Sequence, residues 1–151
     1  MGTSILTLNT NTDEATKKML ENVIERKEKY EKAKIKHLFY LWVSIFYGFA
    51  FSYISYTFIL SPHDYSFYAM FSAFFTSGPM LLSFLVAVFL FGASKIHFDK
   101  KEKTEKEYQT LRCEIIDRSK DLWKDQAWKQ RHIIFEFMKK EFDINLYHQS
   151  K

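Results

Sequence analysis

Two uncharged apolar runs, Leu38–Leu60 and Phe67–Ser94, dominate the pattern of the chain, and the polar stretch Ser61–Ser66 separates them. Neither run contains Asp, Glu, Lys or Arg. A helix needs about 20 predominantly apolar residues, at about 1.5 Å rise each, to cross the hydrocarbon core of a bilayer, and both runs meet that length. A buried core helix of a soluble protein accounts for apolar runs of about 10–14 residues, not for two of this length. The pattern therefore predicts an all-α protein. Its centre is a transmembrane hairpin (residues 38–94, with an outside loop at 61–66), flanked by helical regions at residues 1–37 and 95–151.

The flanks read as long charged helices. Residues 1–12 are small and polar, and Asn11 or Thr12 can cap the helix that follows. With Asn11 as the cap, Glu14 stands at the third helical position, and Asp13 and Glu14 suit the positive end of the helix dipole. From Asp13 to Lys36 there is no Gly or Pro, and Glu25/Lys29 and Glu28/Lys32 are i,i+4 pairs in the favourable order. Met19, Val23, Tyr30, Ala33 and His37 make a seam at spacings of three and four, with Arg26 at the remaining position. The second flank has its own stripe, Tyr108, Leu111, Ile115 and Leu122, interrupted by Arg118. A hairpin continued as two straight legs would set Met19–Tyr30 alongside Arg112–Phe98, so the two stripes would share a core.

Beyond Asp125 a short C-terminal helix is strongly amphipathic. Trp128, His132, Phe135, Met138 and Phe142 recur at three or four residues, and Ile134 and Phe137 widen the face. Lys129, Arg131, Lys139 and Lys140 add basic charge. Such a helix can lie on the inner membrane surface, fold back as the third helix of a bundle, or receive a partner. The tail after Asp143 reads as frayed.

Within the first run Ser44, Gly48 and Ser52 recur every four residues, a small-residue stripe that lets helices approach closely in lipid. Gly78-Pro79 lies inside the second run. Proline removes a backbone donor and clashes with the carbonyl four residues back, at Phe75, which predicts a kink or a break there. Lys32, Lys34 and Lys36 precede the hairpin and Lys95, Lys100, Lys101 and Lys103 follow it, whereas the loop has no Lys or Arg. The positive-inside bias puts both termini in the cytoplasm and the loop outside, in a multi-pass protein of the cell membrane.

The net charge of +4, on 22 basic and 18 acidic residues, fits attraction to anionic lipid. Basic and acidic residues alternate instead of forming a stripe, which argues against a nucleic-acid surface. One cysteine, Cys113, excludes an internal disulfide framework. Candidate chemistry is sparse. The chain has no phosphate-binding glycine loop, no HExxH and no nucleophile elbow. His63-Asp64 is read as a solvated turn. Asp117, Asp121 and Asp125 form an acidic line, but Lys120, Lys124 and Lys129 neutralise it and no histidine joins it. His132 and Glu136 make a lone i,i+4 pair, short of a metal site. No Asp, Glu, Lys, Arg or His lies within the apolar runs, where such groups flag function. We expect no catalytic residue, no metal and no cofactor.

The stretch KKEKTEKEYQTLRCEIIDRSKDLWKDQAWKQRHIIFEFMKKEFDINLYHQSK, preceded by TKKMLENVIERK and a hairpin, resembles the YpbF-like family. These are small two-span membrane proteins of Bacillus-type bacteria, grouped as a domain of unknown function. The resemblance implies location and architecture and brings no catalytic residues. The reading of the residues is a non-enzymatic scaffold or interaction protein. Its partners are the lipid bilayer, a membrane or cytoplasmic protein, or a second copy of itself. Trp123, Trp128, Phe135, Phe137 and Phe142 are the candidate contacts, unless these aromatics are the core of a small bundle. The alternative is a homo-oligomeric pore or holin-like protein, which the lack of charge in the spans weakens.

Overall fold

A computed structural model describes residues 14–123 and 126–148, and every regular element among them is helical. Helix α1 runs unbroken over Glu14–Ser55, widens into a π-turn at Tyr56–Leu60 and ends in a tighter 3-10 turn at Ser61–His63. Helix α2 covers Phe67–Thr76 and α3 covers Gly78–Asp117. The single turn α4, Ser119–Leu122, and the helix α5, Gln126–Phe142, complete the chain. The proposed caps Asn11 and Thr12, the loose segment 1–12, and Lys124 and Asp125 lie outside the described residues.

The chain forms two compact units, residues 33–101 and residues 1–32 with 102–151. In the first, the apolar parts of α1 and α3 pack in opposite directions. Tyr40 stacks on His97 at 4.3 Å between ring centroids, and His37 meets Phe98 edge-on at 5.3 Å. The second apolar run does not form one kinked helix. Ser77 adopts an extended conformation (φ −83°, ψ 100°), and α3 starts afresh at Gly78 with Pro79 in its first turn, where a missing N–H costs nothing. The bend relieves the clash that Pro79 would impose on Phe75. The turn between the two legs is held locally: Ser66 caps α2 by accepting from the Ala69 N–H, and the Ser66 N–H bonds back to the His63 carbonyl.

The second unit is a helical bundle around Leu20, Val23, Tyr108, Ile115, Trp123 and Met138. Its register departs from that of two straight legs. Tyr30 stacks on Tyr108 at 6.2 Å, and not beside Phe98. Lys27, not Arg26, takes the open seam position: Arg26 stays at the surface in an ion pair with Glu107, while Lys27 turns inward. Arg112 lies within the second stripe and is buried, whereas Arg118 is exposed and pairs with Glu114 at 3.2 Å. The helix breaks at Arg118, so Asp117 and Asp121 do not continue one line.

Helix α5 folds back on this core through Ile134, Phe135 and Met138. It ends on Asp143, which takes a left-handed conformation (φ 53°), and the Ile144 N–H reaches back to the Met138 carbonyl at 3.0 Å. That pattern closes a helix C-terminus and redirects the chain. The segment after it is not frayed: Ile144 and Leu146 are among the most buried side chains.

Candidate functional site

The residues singled out from the sequence fall into two places. The first is the seam between the apolar parts of α1 and α3. Ser44 is buried there, and its hydroxyl lies 2.7 Å from the Tyr40 carbonyl and 3.1 Å from the Leu90 carbonyl of α3. One proton serves two acceptors, so the hydroxyl both satisfies its own helix and ties it to the next. One turn on, the Tyr47 hydroxyl donates to the Ser83 carbonyl at 2.9 Å and sits 2.8 Å from the Ser83 hydroxyl. Nothing in the spacing along the chain points to this pair, because spacing does not set the register of the two legs.

Gly48 follows in the stripe, and the Phe91 ring lies over it at 3.7 Å from where a Cβ would stand. Ser52 is exposed on the rim of a shallow apolar groove of about 640 Å³ lined also by Ile45, Phe49, Phe84 and Val88. The three stripe residues thus play different parts. Ser44 is a tight polar contact, Gly48 leaves room for an aromatic ring, and Ser52 stays open.

The second place is the bundle of residues 14–32 and 102–148. Trp123 is buried, and its indole N–H has no hydrogen-bond partner among the described residues. Packing alone holds the ring, edge-on against Phe135 at 5.4 Å. Phe135 is buried too and meets Tyr147 edge-on at 5.4 Å. Phe137 and Phe142 are half-buried and touch each other at 5.9 Å. Trp123 and Phe135 fill the core of the bundle, with Phe142 packed against it, so Trp123 and Phe135 are not available to a partner in this state. Trp128 differs: it is 40% exposed, and the Arg131 guanidinium stacks on its ring at 3.8 Å, a contact that holds a planar aromatic surface open to solvent.

Charge inside this unit is spent on closure. The Lys27 ammonium reaches the Phe142 carbonyl at 2.7 Å, the Asp143 carbonyl at 2.5 Å and the Asp143 carboxylate at 2.9 Å. It therefore supplies a cation to the negative end of α5, where the last carbonyls have no partner in their own helix. Arg112 does the same for the C-terminal segment, donating to the His148 carbonyl at 3.1 Å. Burial raises the Tyr108 phenol above its ordinary value of about 10, partly offset by the neighbouring Arg112 charge. Among the described residues no group of three His, Cys, Asp or Glu side chains is placed to hold a metal ion. Cys113 is half-buried.

A family model described as a protein of unknown function (DUF2663) matches residues 19–149. A relative described as uncharacterized protein YpbF, from Bacillus subtilis (strain 168), is 34% identical over 142 residues, spanning 93% of this chain and 92% of the relative. No solved structure matches the chain.

Proposed function

The chain belongs to the DUF2663 family of proteins of unknown function, and we propose that it is a non-enzymatic, two-span protein of the cell membrane whose bundle is a cytoplasmic interaction module. The observation that carries the membrane part is exposure. Two helices are long and apolar enough to cross a bilayer, and only 11% of the most apolar stretch of either is buried by the protein itself. Phe46, Phe49, Phe58 and Phe89 are each at least 67% exposed. Monomeric soluble proteins rarely expose an apolar patch beyond a few hundred Å², and lipid removes the penalty. The lysines at both ends of the hairpin support cytoplasmic termini through the positive-inside bias.

Support for an interaction module comes from Trp128. A tryptophan held at the surface with an arginine on its face combines two residue types that dominate interface energies. The test is photo-crosslinking from residue 128 in native membranes. A single foreign adduct, lost when Arg131 is replaced by Glu, is the expected result. Adducts with copies of the same chain redirect the reading to a homo-oligomer, and intramolecular products alone refute it.

A further inference from the structure

Helix α2 is ten residues long and carries no charge. At about 15 Å it is too short to cross a hydrocarbon core of about 30 Å. It also does not prolong α3. A straight helix through Ser77 would hold the rings of Phe74 and Phe84 about 15 Å apart, yet they meet edge-on at 5.9 Å. Helix α2 therefore turns sharply off the axis of α3 at Ser77, which brings Phe74 against Phe84.

Its faces divide into three. At about 100° per residue, Phe67, Phe71 and Phe75 fall in one sector, and they are 79%, 58% and 53% exposed. Tyr68, Ser72 and Thr76 fall in the next sector, also exposed, and all three bear hydroxyls. The remaining sector holds Ala69, Met70, Ala73 and Phe74, which are half-buried against the rest of the hairpin unit. One face for protein, one phenyl face and one hydroxyl face are the three surroundings of a helix lying flat where hydrocarbon meets water beside its own spans. The chain lengths agree. The uncharged part of α3, from Gly78 to Ser94, is about 17 residues, or roughly 25 Å, and already uses most of the hydrocarbon thickness. The exposed phenyl face is continuous in sequence with Phe58, Leu60 and Tyr65, themselves exposed at the end of the first leg.

We infer that α2 is an in-plane interfacial helix of the outer leaflet, with Phe67, Phe71 and Phe75 in the acyl boundary and Tyr68, Ser72 and Thr76 toward the headgroups and water. Aromatic side chains favour that depth. The helix carries no cation, so its partner is the boundary itself and not an anionic lipid headgroup. The inference rests on the membrane reading above.

The test uses the full-length Cys113→Ser protein in phosphatidylcholine vesicles, with a fluorophore on a single new cysteine at position 71, 72 or 88. Val88 is 54% exposed on α3 and serves as the mid-span reference. A nitroxide lipid spin-labelled near the headgroup should quench the Phe71→Cys label at least about twofold more than one labelled near the chain end, with the reverse order at Val88→Cys. Aqueous iodide should quench Ser72→Cys at least about twofold more than Phe71→Cys. Equal iodide quenching at 71 and 72 places α2 in water and overturns the inference. Deep quenching at 71 equal to that at 88 makes α2 part of the span and also overturns it. A Val88→Cys label that neither nitroxide lipid quenches refutes the membrane reading itself. Phe67→Cys replaces Phe71→Cys if the latter does not reconstitute.

Discussion

Replacing Lys27 by Met isolates what its charge does. The Lys27 side chain is only 14% exposed, so its aliphatic stem lies against the bundle, and methionine keeps that stem while removing the ammonium. Three contacts vanish. The one to the Asp143 carboxylate, itself 98% exposed, is worth less than about 1 kcal/mol in water. The two to the Phe142 and Asp143 carbonyls are charge-assisted, about 1.5–3 kcal/mol for one such bond. A single ammonium makes both, so they do not add in full, and their loss exposes the end of α5 to water, which partly replaces them. The net cost comes to about 2 kcal/mol for local opening of α5 and the segment behind it. At about 1.4 kcal/mol per factor of ten, that is about 30-fold faster exchange. The Ile144 amide, bonded to the Met138 carbonyl at 3.0 Å, is the probe, read by hydrogen–deuterium exchange of the full chain in detergent micelles. Lys29→Met is the control. Its partner Glu25 is exposed and its carboxyl is lowered chiefly by the Lys29 hydrogen bond, so exchange should change by less than about threefold. Equal effects of the two variants, or an unchanged Ile144 amide in Lys27→Met, would refute the capping role.

Three further outcomes follow from the same structure. Leu146→Ala should destabilise the bundle by about 2–5 kcal/mol, measured as a lowered unfolding midpoint, whereas a frayed tail would show no change. Tyr47→Phe should weaken the packing of α1 on α3 by about 0.6 kcal/mol, the average for hydrogen bonds between helices in lipid, and by no more than about 1.7 kcal/mol. A dodecyl sulfate titration of reconstituted protein reads that loss, and an unshifted midpoint counts against the Tyr47–Ser83 tie. The raised Tyr108 phenol means that the folded state holds its proton longer than the unfolded chain, so stability is full below the unfolded pKa and falls as pH rises above about 10. Tyr108→Phe should flatten that alkaline fall, and an identical pH profile in both proteins would exclude Tyr108 as its source.

Much of the fold was legible because charge exclusion is a strong signal. No acid or base interrupts Leu38–Leu60 or Phe67–Ser94, and two helices long and apolar enough to cross a membrane result. What escaped was set by tertiary contact. Proline marked the neighbourhood of the break, but only the extended Ser77 decides between one kinked helix and two. Spacing likewise did not separate Lys27, which turns inward, from Arg26, which stays at the surface. Ile144 and Leu146 sit in a segment too short to show a period, so their burial left no trace in the pattern. The aromatic positions of α5 have the same spacing whether they face lipid, a partner or the core. Burial separates Trp123 and Phe135 from Trp128, and spacing does not.

The most direct test of the account is the sidedness of the chain in intact cells. In a Cys113→Ser background, a membrane-impermeant maleimide is offered to a cysteine at Asp64, in the turn between α1 and α2, and separately to one at Lys120, on the exposed turn α4. The account predicts that Asp64→Cys is labelled from outside and that Lys120→Cys reacts only after the cells are opened. Labelling of Lys120→Cys in intact cells, with Asp64→Cys protected, would reverse the topology. Protection of both until the cells are opened, in a protein that alkaline carbonate washes off the membrane, would contradict the two-span reading altogether.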